Sequence, residues 1–359
     1  MRTIIKPKQL TIKNVVLAAG MMVVFMLAAA LLPFVAHSSE SEKIIITDQA
    51  GRTVHIPARI NRIVSLWPEA TRTIFALGEQ NKIVGIDGSM KADPVFTELF
   101  PQIMSLPATG RMMDAVNTEE LVKLKTDIIF GDANRADMAD SLQKRTGIPV
   151  VCVRINPPAG KGKFSFKLIS LIGRILNKQE RADYLVQYLE GKLSGITVFT
   201  DRIPKDNRRK GIIVSAMVPG AISANGHPDP LDTAGVVNTA VKNSEVWYQL
   251  NPEQVMIWKP EIVFVHILSR ISPRELLDYQ QWQKVKAVKN KRVYNVIIGW
   301  CGWYPSTTVI NIMQIAKTAY PDHFRNLDIE KQGNEIFRVM YGANNFFTDL
   351  VDKYEIYIP

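Results

Sequence analysis

The 359-residue sequence predicts an α/β fold of two similar lobes with parallel sheets, braced by one long helix. Three observations carry that prediction. Short β-branched runs alternate with helical stretches in both halves, one helix–strand unit occurs twice, and the segment between the halves reads as continuous helix. The length itself corresponds to about two domains of roughly 150 residues. Hydrophobic residues make up 47% and charged residues 22%, a globular mix that excludes a disordered tail or a collagen-like repeat.

The chain begins with Arg2, Lys6, Lys8 and Lys13 ahead of Val15–Ala36, a run without a single charge. A positive flank, an apolar core and then Ala36-His37-Ser38 form the layout of a secretory signal. The run is also long enough to span ~30 Å of hydrocarbon. Residues 1–38 are therefore expected to be a signal peptide or a membrane anchor, with the remainder outside the cytoplasm. Beyond residue 38 there are 40 basic and 34 acidic residues, a net of +6. Those charges are scattered, which reads as solvated surface and not as a nucleic-acid site. Cys152 and Cys301 supply neither a disulfide framework nor a CxxC metal motif.

Lys43–Asp48 and Arg52–Ile56 read as a small hairpin around Gln49-Ala50-Gly51. Arg62–Leu66, Lys82–Ile86, Asp127–Gly131 and Pro149–Val153 then read as buried strands. Between the first two, Glu69–Leu77 has helical spacing and stops at Gly78. The second half supplies Gly211–Ala216, Glu261–His266 and Arg292–Val296. An echo at an offset of 134 residues aligns Asn117–Gly131 with Asn251–Val265. Asn117/Asn251, Glu119/Glu253, Lys125/Lys259, Ile128/Ile262 and Phe130/Phe264 are identical pairs. Phe164–Phe199 reads as one uninterrupted helix, on the order of 50 Å long. The expected organisation is 43–163 as the first lobe, 164–202 as the linker helix and 203–359 as the second lobe. The tail beyond Asp328 is expected to pack on the second lobe.

The motifs ITDQAGRTVHIP, RIVSLWPEATRTIFALG, KIVGIDG, DTAGVVN and INIMQIAKTAYPDHF, with the repeated unit, run in a fairly specific order over residues 44–325. In that order they resemble the ferric-siderophore and cobalamin class of substrate-binding proteins for ABC importers. The resemblance implies two Rossmann-like lobes joined by a rigid helix, with the ligand held in the cleft between them. It also implies delivery to a membrane permease driven by an ATPase. Docking acids on the two lobes are implied as well. Glu253 matches the second, whereas the first aligns with Arg72, leaving Glu69 one turn away as its substitute. The second lobe's usual glycine pair reads Gly235-Val236.

In open parallel sheets, ligands bind beyond the carboxyl ends of the strands. That rule selects Trp67, Arg111 and Arg135 in the first lobe, and His227, His266, Arg270, Trp300, Trp303 and Tyr304 in the second. The arginines would neutralise an anionic complex, and the aromatic residues would pack against a chelate or macrocycle. Too few histidines and carboxylates fall at these loops to hold a bare metal ion. No GxSxG, P-loop, HExxH or strand-following GxGxxG is present, so an enzyme is not expected. The expected ligand is a ferric-siderophore-like chelate, with cobalamin, another corrinoid or haem as alternatives, and an oxyanion or nickel chelate also open. No cofactor is expected, and the protein is expected to be a monomer. A membrane-anchored sensor that has lost transport is the competing class.

Overall fold

The computed structural model describes residues 43–111, 113–154, 166–218, 221–226, 230–240, 247–297 and 305–359. Lys43–Pro359 form one compact unit. The expected leader, 1–38, lies outside the described residues. Among the described residues no helix is long and apolar enough to cross a membrane.

The hairpin forms as β1 (Lys43–Thr47) and β2 (Thr53–Pro57), antiparallel, with Gly51 at φ +83 in the turn. The first lobe is a five-stranded sheet of β3 (Ile63–Ser65), β4 (Ile83–Asp87), β5 (Ala108–Gly110), β6 (Ile128–Asp132) and β7 (Val150–Val153). Its spatial order is β5-β4-β3-β6-β7 and every pairing is parallel. The helices of this lobe are α1 (Pro68–Ala76), α2 (Pro94–Leu99), α3 (Thr118–Lys123) and α4 (Ala136–Thr146).

The second lobe contains β8 (Arg209–Val218), β9 (Ala221–Asn225), β10 (Val236–Asn238), β11 (Trp247–Gln249), β12 (Ile262–His266) and β13 (Val293–Val296). The β10–β8–β12–β13 ladder is parallel, as expected. The antiparallel ribbon β8–β9–β11 is additional. Its sequence signal is the dipeptide Pro219-Gly220 between the two strands, a composition that favours turns.

The linker comes as two helices, α5 (Lys167–Ile175) and α6 (Gln179–Thr200), in place of the single rod. Asn177 takes φ +56, and the Lys178 amide donates to the Gly173 carbonyl at 2.7 Å, closing α5 with a Schellman turn. A Cβ on Gly173 would lie 2.3 Å from the Ala182 Cβ, so glycine is what lets the two helices touch. At 22 residues, α6 spans about 33 Å.

After α7 (Pro252–Trp258), α8 (Pro273–Asp278) and α9 (Lys286–Lys289), the chain ends in α10 (Pro305–Ala319), α11 (Ile329–Tyr341) and α12 (Phe346–Tyr354). The tail packs on both lobes, not on the second alone. Tyr341 meets Phe96 and Phe100 edge-on, and Lys353 pairs with Glu98 in the first lobe. Asn295 Nδ2 donates to the Tyr354 and Glu355 carbonyls, and Tyr294 stacks on Tyr357 in the second. One apolar cluster runs through the molecule, from Ile63 and Ile86 by way of Leu185 and Leu189 to Phe264 and Ile315.

The echo is structural. Asn117 and Asn251 cap α3 and α7 through their side-chain oxygens, at 3.1 and 2.9 Å. Each helix then ends near a lysine with positive φ, Lys125 at +49 and Lys259 at +52. Both units deliver a fully buried central strand, β6 or β12.

Glu79 ties the first lobe to the linker elbow, accepting from Lys82 at 2.7 Å and Lys178 at 2.9 Å. Burial works against its ionisation, but the two lysine bonds win and hold the carboxyl below the usual glutamate range. Its stabilisation is therefore present at neutral pH and is lost as pH falls through the depressed value. Glu79→Gln is expected to lower the urea midpoint at neutral pH, with the gap to the parent narrowing as the solution is acidified.

Candidate ligand-binding site

The parallel ladders fix which side chains share an edge. After β3, Trp67 turns into the core at 9% exposure and donates its indole N–H to Glu69 Oε2 at 3.1 Å. Most of its ring therefore serves the first lobe's core, not a ligand wall. Glu69 is itself 3% exposed. After β4, Asp87 accepts from the Ser89 amide at 2.8 Å and from the Ser89 hydroxyl.

After β5, Arg111 and Asp114 exchange backbone hydrogen bonds at 3.0 and 2.7 Å, closing a tight loop. Met113 (φ +66) and Ala115 (φ +48) hold left-handed backbone there, an uncommon pair of non-glycine outliers in one loop. Beneath it, Met113 Sδ accepts from the Asp132 amide at 3.1 Å and lies where a Cβ on Gly131 would sit. Gly131 is thus the residue that lets the loop settle on β6. The Arg111 guanidinium is exposed and, among the described residues, has no carboxylate partner.

After β6, Asp132 accepts from the Asn134 amide and side chain at 2.9 and 3.0 Å. Burial pushes its carboxyl above the usual aspartate range even though Arg135 and Arg154 pull the other way. Arg135 pairs with Asp114 at 2.9 Å, which joins two of the predicted loops. After β7, Arg154 donates to Asn134 Oδ1 at 3.2 Å and to the Gln49 carbonyl at 2.8 Å. Sequence reasoning missed Arg154, although it follows the fourth strand just as Arg135 follows the third.

In the second lobe His266 ends β12 at 5% exposure, and its Nδ1 accepts from the Leu268 amide at 2.9 Å. That bond puts the proton of the neutral ring on Nε2. Ser269 Oγ accepts from the Ala216 amide at 2.8 Å, and the Arg270 amide donates to the Ala216 carbonyl at 2.9 Å. Residues 266–270 are thereby stitched to β8, with the Arg270 side chain exposed. His227, Trp300, Trp303 and Tyr304 lie outside the described residues, as does Cys301. Cys152 is buried, and burial pushes its thiol up to about 12, which makes it an inert packing residue. Among the described residues no three His, Cys, Asp or Glu side chains gather to hold a metal ion.

The first-lobe docking position needs correction. Every residue of α1 is buried. Arg72 pairs with Asp93 at 2.9 Å with both side chains at 0% exposure, and Glu69 faces inward with it. Neither presents a charge to a partner. The echo supplies the equivalent of Glu253: Glu119, likewise exposed in the first turn of its helix. Arg72→Met leaves Asp93 buried without its partner and is expected to cost about 3–5 kcal/mol of stability, read by chemical denaturation.

Residues 63–296 match the family model described as periplasmic binding protein. The molybdate-binding protein MolA of Haemophilus influenzae is 25% identical over 340 residues, 88% of this chain and 95% of that protein. The Bacillus subtilis ABC transporter substrate-binding lipoprotein YvrC is 22% identical over 286 residues, 79% of this chain and 87% of that protein. Among solved structures, MolA bound to molybdate superposes with a TM-score of 0.72 at 24% identity, covering 84% of this chain and 98% of MolA. Helicobacter pylori CeuE in its Ni-His complex gives 0.70 at 19%, covering 88% of this chain and all of CeuE. The shared architecture is two-lobed, and the relatives are carriers of solutes. The chain belongs to the periplasmic binding protein family, among the substrate-binding proteins of ABC importers.

Proposed function

We propose that this chain captures an anionic metal compound outside the cytoplasm, a metal oxyanion of the molybdate type, and hands it unchanged to a permease and its ATPase. The observation that carries the reading is the exposed Arg111 guanidinium, which has no carboxylate partner among the described residues and stands on a strained loop at the ligand edge. Arg135 and Arg154 add charge beside it, and His266 and Arg270 stand on the corresponding edge of the second lobe. Planar, permanently charged donors suit tetrahedral oxygens. The molybdate-binding relative covers nearly the whole chain, which agrees with this chemistry.

A ferric-siderophore-like chelate is the second reading. It rests on the aromatic run of the sequence with Trp300, Trp303 and Tyr304, with His227 as a further ligand to the chelated metal. Trp67 lends it little, because its ring is mostly enclosed. Glu119 and Glu253 are the proposed permease-docking pair.

Titration calorimetry on the full chain with molybdate, tungstate, sulfate and a panel of ferric siderophores separates the two readings. Molybdate and tungstate are expected to bind, with Arg111→Ala weakening them about tenfold or more. Binding of a siderophore alone would transfer the assignment to the second reading. In a reconstituted transporter, Glu119→Lys and Glu253→Lys are expected to leave ligand affinity intact while lowering ligand-stimulated ATP hydrolysis. Unchanged hydrolysis would remove the docking role.

A further inference from the structure

The start of α10 carries a feature that the fold does not account for. Ser306, Thr307 and Thr308 occupy its first turn at 0%, 1% and 1% exposure. The hydroxyls of Ser306, Thr307 and Thr308 have no hydrogen-bond partner among the described residues. Buried hydroxyls are nearly always paired, so three orphans in succession call for an explanation. Further along the same helix the polar side chains donate to carbonyls. Asn311 donates to the Ile297 carbonyl, Gln314 donates to the Asn295 and Tyr357 carbonyls, and Thr318 donates to the Gln314 carbonyl. The side-chain oxygens of Asn311 and Gln314 have no partner among the described residues, so orphaned oxygens run from the helix start to its middle.

That start has a defined place in the topology. The chain enters α10 from the carboxyl end of β13, an edge strand of the second lobe's parallel ladder, so its first turn belongs to the ligand-bearing edge. Side chains on a helix lean toward its N-terminus, which directs the hydroxyls to that end. The first-turn amides have no carbonyl a turn behind them, and the macrodipole adds positive potential. Desolvated hydroxyls, first-turn amides and a positive helix end form a donor set for an oxyanion.

The geometry points to the first turn of α10 as the second lobe's seat for ligand oxygens, with Thr307 and Thr308 donating their hydroxyls to a metal oxyanion. The first lobe's arginines would face the remaining oxygens. This assignment rests on the oxyanion reading above and adds two residues that the loop-based selection did not contain.

The test uses the full chain, with molybdate and tungstate as probes, and the variants Thr307→Val, Thr308→Val and Thr307→Ser. Valine keeps the branched shape and removes the hydroxyl, whereas serine keeps the hydroxyl. Each valine variant is expected to weaken binding about tenfold, and the serine variant to stay near the parent. The Tm of the ligand-free valine variants should stay level or rise, because an unpaired buried hydroxyl has been removed. Parent-like affinity in both valine variants would overturn the assignment while leaving the oxyanion reading standing. A joint fall in affinity and ligand-free Tm would reduce the threonines to packing and overturn it too. A parent protein that binds neither probe would overturn the oxyanion reading, and this seat with it.

Discussion

A parallel ladder has one edge at which every strand hands over to the next helix, and that constraint organises the molecule. In the first lobe it brings Ser89, Arg111, Asn134 and Arg154 to a common side although they are spread over 66 positions of sequence. In the second it does the same for His266 and the start of α10. Charged and hydroxylic residues collect there because the strands are buried on both faces and are apolar up to their carboxyl ends, where Asp132 and His266 stand.

Behind that edge the lobes are held by buried and half-buried polar groups. Arg181 in α6 donates to the Ala76 carbonyl of α1 and to the Val339 and Met340 carbonyls of α11, so one guanidinium serves helices from both ends of the chain. Arg72 and Asp93 sit nearby with the Tyr341 phenol, whose ionisation burial pushes up to about 12. A buried ion pair contributes little net stability once desolvation is counted, yet it tolerates only one arrangement of its neighbours. Its place at the meeting of α1 and the tail favours specificity of assembly as its role.

The repeated unit was the most legible part of the sequence, because Asn caps, first-turn acids and a β-branched strand are local signals that keep their meaning in any context. The β8–β9 ribbon was less so, since the expectation of a parallel sheet obscured the turn-favouring composition of Pro219-Gly220. The elbow at Asn177 was hidden by apolar spacing that continues on either side of it, although an asparagine at the end of a periodic stretch is a recognised stop. Burial of Trp67, Glu69 and Arg72 could not be read from spacing. α1 is enclosed on every side by elements distant in sequence, and amphipathic reasoning presumes a face left to water. Arg154 was available to the same rule that selected Arg135.

The tail that crosses from one lobe to the other has a kinetic meaning. A jaw that swung open would have to unstack Tyr341 from Phe96 and Phe100, separate Lys353 from Glu98 and release Arg181 from three carbonyls together. Any parting of the two lobes thus has to break contacts from the tail and the linker at once.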